Sequence, residues 1–205
     1  MTSQRSQRIG WYFYDWANSA FSTTVVTAFL GPYLTSVARA AAGPDGTVDP
    51  FGISIHPGSV FPFAASLSVA LQVLVLPVIG ALADRSHRKR LLLGFTAAGG
   101  ALATTALFFV TAAAGNYLMG ALLFIVANLF FGSSIVVYNS FLPEISSPEE
   151  RDRVSSRGWA LGYLGGGLLL LINMLMYAKA TESNADIGFT VRTILASAGI
   201  WWALF

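Results

Sequence analysis

Apolar positions fall into six long runs, approximately Trp11 to Val37, Val60 to Ala83, Leu91 to Ala114, Tyr117 to Leu142, Trp159 to Tyr177, and Ile187 to the chain end at Phe205. About 20 helical residues at about 1.5 Å each cross a hydrocarbon core of about 30 Å, so each run predicts a spanning helix. The segments between them hold turn residues: Gly43-Pro44-Asp45-Gly46, His56-Pro57-Gly58, Gly115-Asn116, and Pro143 through Pro148. The expected fold is an all-α membrane protein, a bundle of six transmembrane helices covering residues 1–205.

Polar positions inside the runs are few and patterned. In the first run Asp15, Asn18, Ser19, Ser22 and Thr23 fall at i, i+3, i+4, i+7 and i+8, one stripe of a helix whose other positions are mostly apolar or aromatic. Facing lipid they would be left without hydrogen-bond partners, so the stripe is expected to face a cavity or a neighbouring helix. Asp15 stands among the aromatics of Trp11-Tyr12-Phe13-Tyr14-Asp15-Trp16, and a carboxylate at membrane depth is by default a functional candidate. The run from Trp11 to Val37 is about 40 Å long, however, which places Asp15 close to the hydrocarbon boundary inside an aromatic belt. Three roles remain open for it: substrate or proton handling, a cytoplasmic gate contact, or a plain interfacial residue.

The fourth run presents Asn128, Gly132, Ile135 and Asn139 on one stripe, either as packing amides or as a cavity wall. In the fifth, Gly158, Gly162 and Gly166 recur every four residues, a spacing that lets two helix backbones approach closely. Asn173 is a further cavity candidate.

Composition agrees with a membrane protein: 55% of residues are hydrophobic and 11% charged, against about 25% charged in soluble domains. A net charge of +2 is too small to imply nucleic acid, and the absence of Cys excludes disulfides, thiol chemistry and Cys-ligated metal. His56 and His87 lie in predicted loops. No Ser-His-Asp set, His-x-x-x-His pair, Gly-Lys phosphate loop or paired intramembrane carboxylate is present, which removes the grounds for an enzyme or an ATP-driven pump. No cofactor or metal is expected. Arg5 and Arg8 before an apolar run, with Ala38-Arg39-Ala40 after it, resemble a signal peptide only loosely, because the run is far longer than a signal core.

Basic residues set the orientation. The N-terminal tail and the loops after the second and fourth helices hold nine of the twelve: Arg5, Arg8, Arg85, Arg88, Lys89, Arg90, Arg151, Arg153 and Arg157. The other side holds Arg39, Lys179 and Arg192, so the N-terminus is expected in the cytoplasm. The sixth run stops at Trp201-Trp202-Ala203-Leu204-Phe205 without a basic flank, and the chain is therefore read as cut inside or just at the end of that helix. The mixed loop from Ser146 to Arg157 is expected to be a short amphipathic or irregular connector, and Glu144 a hydrated loop carboxylate or a gate contact.

The densest local signal joins the second and third helices: Gly80-Ala81-Leu82-Ala83-Asp84-Arg85-Ser86-His87-Arg88-Lys89-Arg90. The turn must be tight, and Asp84 is placed to pair with Arg85 or Arg88, or to sit against the positive N-terminus of a neighbouring helix. As a topology anchor alone the basic residues would need no Asp84 or Gly80 at fixed spacing. The stretch resembles the signature loop of the major facilitator superfamily, with Gly80, Leu82, Asp84, Arg85, Arg88 and Lys89 on matching positions and His87 where that family usually has its second glycine. Two further stretches, Tyr14-Asp15-Trp16-Ala17-Asn18-Ser19-Ala20-Phe21 and Tyr138-Asn139-Ser140-Phe141-Leu142-Pro143-Glu144-Ile145, are similar to the branch that contains the yeast autophagy-related vacuolar amino-acid effluxer and bacterial relatives.

The resemblance covers the whole chain but only the N-terminal six-helix half of such a transporter. It implies two inverted three-helix repeats, about residues 11–114 and 117–205, with a binding site near the midplane where two halves meet. It also implies secondary transport of a small polar solute, amino acids being the favoured class, with Asp84, Arg85 and Arg88 in a latch against the missing C-terminal six-helix half. A co-transported proton is one possible partner besides the lipid bilayer, and the bacterial inner membrane is the expected location. The alternatives are a non-transporting or inactive truncated membrane protein and a six-span homodimeric carrier.

Overall fold

Inside hydrocarbon no water is available to a backbone N–H or C=O, so a spanning segment must satisfy them within itself, and a helix does so. The computed structural model describes residues 2–204, with side chains from Gln4 onward. Each apolar run is a helix long and apolar enough to cross a membrane: α1 (Gln4–Ala40), α2 (Pro57–Arg85), α3 (Lys89–Phe109), α4 (Tyr117–Ile145), α5 (Pro148–Glu182) and α6 (Ile187–Leu204). Among the described residues the sole strand-like pairing is one isolated bridge between Val48 and Ile55 in the α1–α2 loop. In the same loop the hydroxyl and then the backbone N–H of Thr47 hold the Asp45 carboxyl below the usual carboxylate range. The predicted last residue of the sixth helix, Phe205, lies outside the described residues.

Most helices extend beyond their predicted ends, the fifth as far as Glu182 instead of Tyr177, and three differences have a local cause or consequence. The third helix ends at Phe109 instead of Ala114 because Asn116 closes the chain back on itself: its Nδ2 donates to Phe109 O at 3.0 Å and its Oδ1 accepts from Thr111 N at 2.8 Å. Gly115, at φ 59°, supplies the left-handed residue that this turn requires. The fifth helix starts at Pro148, so most of the expected irregular connector is its first three turns. The basic N-terminal tail is likewise helical, continuous with α1.

That tail is pinned to the α4–α5 junction. Arg8 donates from Nε to Ile145 O and from its terminal nitrogen to Glu150, both at 2.6 Å, while Arg153 reaches the other Glu150 oxygen at 2.7 Å. Because the pair is part-exposed, screening keeps its worth small. Glu150→Gln is expected to lower the unfolding midpoint of the purified protein only slightly against wild type. A larger loss would mean that the clasp orders more than one side chain.

The core gathers around the middle of α1. Phe21, fully buried, lies within 5.1 to 6.5 Å of the rings of Phe124, Phe131 and Trp202, which ties α1 to α4 and α6. The α3–α6 contact depends on small residues, since a Cβ on Gly199 would fall 2.6 Å from Ala101 O and one on Gly100 would fall 2.2 Å from the Trp202 ring. Against α4, α2 is held by polar links at membrane depth: Asn128 Nδ2 donates to Ser68 Oγ, and Gln72 Nε2 donates to Asn128 O, each at 2.8 Å. The apolar window of α2 is only 6% buried inside the bundle, compared with 44% for α1, so α2 presents most of its surface outward.

One segment departs from α-helical geometry. From Phe21 to Phe29 α1 is a π-helix, in which Leu30 N reaches back five residues to Val25 O and Thr27 Oγ1 reaches Ser22 O. Pro32 follows closely; it lacks an N–H, and its ring would crowd the Ala28 carbonyl in a regular α-helix. Placing Ala28 in the wider turn relieves that crowding.

A polar cavity between α1, α4 and α5

The polar stripe of α1 has one close neighbour, the glycine stripe of α5. A Cβ on Gly158 would meet the Trp11 ring at 2.4 Å, one on Gly162 would meet Asp15 Oδ2 at 2.7 Å and Ser19 Oγ at 2.9 Å, and one on Gly166 would meet Ser19 O at 2.9 Å. Thr23 Oγ1 donates to Gly166 O at 3.1 Å, a cross-helix bond that the close approach permits. Without side chains in the way, the carboxylate of Asp15 lies on bare α5 backbone.

Where the two helices diverge from α4 a cavity of about 200 Å³ opens. Asp15, Asn18, Ser19 and Ser22 line it from α1, Asn139 and Tyr138 from α4, and Trp159 with Tyr163 from α5. Five of the six residues expected at a substrate cavity or gate are thus brought together. Asn128 is not with them: it faces α2 through Ser68 and Gln72, because Gly132 on the same stripe is covered by the Gln72 amide. The predicted α4 stripe divides, its basic-end residues Ile135 and Asn139 lining the cavity and its other half packing on α2.

The cavity's electrostatics are one-sided. Asp15 has no ion pair or hydrogen bond among the described residues, and no Lys, Arg or His lines the space. Two polar side chains are buried behind its wall: Asn18, 1% exposed, lies beside the Tyr14 hydroxyl, and Tyr138, 2% exposed, leaves Oη without a hydrogen bond. A buried donor such as Tyr138 Oη costs about 1–3 kcal/mol while it stays unsatisfied. The arrangement is therefore a carboxylate without a counter-ion at the cavity, faced from α4 by the amide of Asn139. Among the described residues no group of three or more His, Cys, Asp or Glu gathers to hold a metal.

Tyr138, Trp159 and Tyr163 were not among the sequence-derived cavity residues. A signal for two of them exists in the chain: Trp159 and Tyr163 directly follow Gly158 and Gly162, so they share the four-residue repeat but lie one position round the helix. Tyr138 is held by stacking on Trp11, ring centroids 4.2 Å apart, while Trp11 Nε1 donates to its carbonyl at 3.0 Å. Asn173 lies elsewhere, between α5 and α6, accepting from Ser197 Oγ at 3.2 Å.

At the α2–α3 turn Asp84, Arg85 and Arg88 are exposed, and none makes an ion pair among the described residues. The expected pairing of Asp84 with Arg85 or Arg88 is not made. The turn instead carries Lys89 over α4, where its Nζ pairs with Glu144 at 2.5 Å, so Glu144 is an ion-paired residue and not simply a hydrated one. Gly80 stands one helical turn before Asp84, in ordinary contact with Val136 of α4, 3.6 Å from its Cβ position.

Against known proteins, residues 3–205 match the family described as "Vacuole effluxer Atg22 like". The chain is 26% identical over 202 residues to the "Uncharacterized MFS-type transporter YxiO" of Bacillus subtilis, covering 97% of this chain and 44% of that protein. It is 25% identical over 289 residues to "Autophagy-related protein 22" of Coccidioides immitis, covering 99% of this chain and 47% of the relative. A second "Autophagy-related protein 22", from Gibberella zeae, is 32% identical over 161 residues, covering 69% of this chain and 24% of the relative. No solved structure matches the chain significantly. The chain thus spans about half the length of the curated relatives it matches. With six apolar helices, the signature turn from Gly80 to Arg90 and a family match over nearly every residue, the chain belongs to the Atg22-like vacuole effluxer family of major facilitator proteins.

Proposed function

We propose that this chain forms the N-terminal bundle of a secondary transporter that moves zwitterionic amino acids by alternating access. The observation that supports this most directly is Asp15, which lines the cavity without a counter-ion while Asn139 lines it from α4. An ammonium group matches the Asp15 carboxylate, and a carboxylate on the same small molecule would be met by the side-chain amide of Asn139, which is exposed in the same cavity. A space of about 200 Å³ suits the dipolar head of such a solute, leaving its side chain toward the open edge formed by Trp159 and Tyr163. A simple anion would meet Asp15 with no cation to offset it.

On this reading the two inverted three-helix repeats, residues 11–114 and 117–205, form one wall, and a second six-helix bundle supplies the other. The exposed, unpaired Asp84, Arg85 and Arg88 are free to latch onto that second bundle on the cytoplasmic side, with the N-terminus on the same side. The test is uptake into proteoliposomes holding the full-length protein. Zwitterionic amino acids are each compared with the corresponding decarboxylated amine and deaminated acid. Zwitterions should enter at least tenfold faster than either analogue, and Asp84→Asn should slow their entry without abolishing binding. Equal entry of the deaminated acids would overturn the substrate reading, and unchanged uptake in Asp84→Asn would remove the latch.

A further inference from the structure

Tyr14 stands next to Asp15 in α1 but points into the bundle, its hydroxyl buried. There the hydroxyl faces Ser134 of α4, Trp202 of α6 and Asn18, one turn further along α1. Tyr14 Oη, Asn18 Nδ2 and Trp202 Nε1 are all buried without a well-formed hydrogen bond, so each gains by closing on the others. We propose that Tyr14 is a positioning residue for transport, a role that rests on Asp15 receiving the substrate's ammonium group. Its hydroxyl holds the Asn18 amide with Nδ2 inward and Oδ1 at the cavity wall, beside the Asp15 carboxylate.

Donor and acceptor chemistry fixes the direction of each contact. Ser134 Oγ already donates to Phe131 O at 2.8 Å, so toward Tyr14 it is an acceptor and takes the tyrosine proton. Trp202 Nε1 is a donor only, and it uses one lone pair of the hydroxyl oxygen. What remains on that oxygen is a second lone pair, which matches the amide nitrogen of Asn18 and not its carbonyl. The Tyr14 hydroxyl thereby selects one of the two amide orientations.

The consequence is electrostatic. Asn18 is only 1% exposed, yet it lines the cavity with Asp15, Ser19 and Ser22. Its Nδ2 lies on the buried side, which leaves Oδ1, the negative end of the amide dipole, toward the space that receives a cation. With the amide reversed, its two N–H bonds would point there instead and oppose the ammonium of a zwitterion.

Initial uptake rates of a zwitterionic amino acid into proteoliposomes of the full-length protein, taken over a range of concentrations, test this role. Tyr14→Phe should raise KM roughly three- to tenfold, the worth of one hydrogen bond, with kcat little changed. Ser134 is fully buried and outside the cavity lining, yet Ser134→Ala should raise KM likewise, because the tyrosine proton is then freed to seek the Asn18 carbonyl. In an Asn18→Ala background, Tyr14→Phe should raise KM no further. An equal rise in that background would make the effect one of packing and overturn the positioning role. An unchanged KM in both single variants, with Asp15→Asn still slowing uptake, would overturn it as well. Unaltered uptake in Asp15→Asn would instead remove the ammonium site itself, and the role of Tyr14 with it.

Discussion

Asp15→Asn is expected to slow amino-acid uptake roughly 10- to 150-fold while leaving the protein at least as stable as wild type. The rate follows from losing a charge-assisted bond to the substrate ammonium, about 1.5–3 kcal/mol, at about 1.4 kcal/mol per factor of ten. The stability follows from the native geometry, in which the carboxylate has no partner to lose and lies on the bare Gly162 backbone. A charge held near hydrocarbon without a counter-ion costs free energy, so the neutral amide should relieve rather than add strain. Uptake and thermal unfolding measured on the same preparation check both halves. Unaltered uptake would make Asp15 an interfacial residue, and a pH-dependent rate that survives the substitution would remove it as a proton carrier.

The second large effect is expected at Gly165. A Cβ there would stand 2.4 Å from Trp16 O and 2.6 Å from Trp16 Cδ2, and the first of these is backbone that cannot swing aside. Gly165→Ala must push α5 off α1, so its cost should sit at or above the upper end of the roughly 1–3 kcal/mol typical of overpacked cores. Two residues on, Gly167 has nothing within 4 Å of its Cβ position. Gly167→Ala should therefore be neutral or stabilising by up to about 1 kcal/mol, the helix-propensity difference. The comparison is read as unfolding midpoints in detergent; equal midpoints for the two variants would contradict the helix packing described here.

These two positions show how differently the site and its scaffold could be read in advance. The stripe Asp15, Asn18, Ser19 and Ser22 was legible because helical periodicity is a local property, and a polar stripe in an apolar run must face protein. The Gly158, Gly162, Gly166 repeat was legible for the same reason. What lies opposite each stripe is not local. The two meet each other, so residues read as cavity lining and residues read as packing form one surface. Asn128 and Asn139 lie on one stripe and were grouped together, yet Gln72 of α2 covers the Asn128 half and leaves Asn139 at the cavity.

Sequence by itself determined the six helices, their membrane character, the basic end and the family. These depend on apolar run length, charge placement and short motifs, all of which are read along the chain. Only the tertiary structure decided that Lys89 rather than Asp84 makes the ion pair at the α2–α3 turn, that α1 widens into a π-helix ahead of Pro32, and that Tyr138, Trp159 and Tyr163 join the Asp15 cavity. Each depends on which helix stands beside which and how closely. A helix's own period states which residues share a face but not what that face meets, and the close α1–α5 contact at glycine set the answer here.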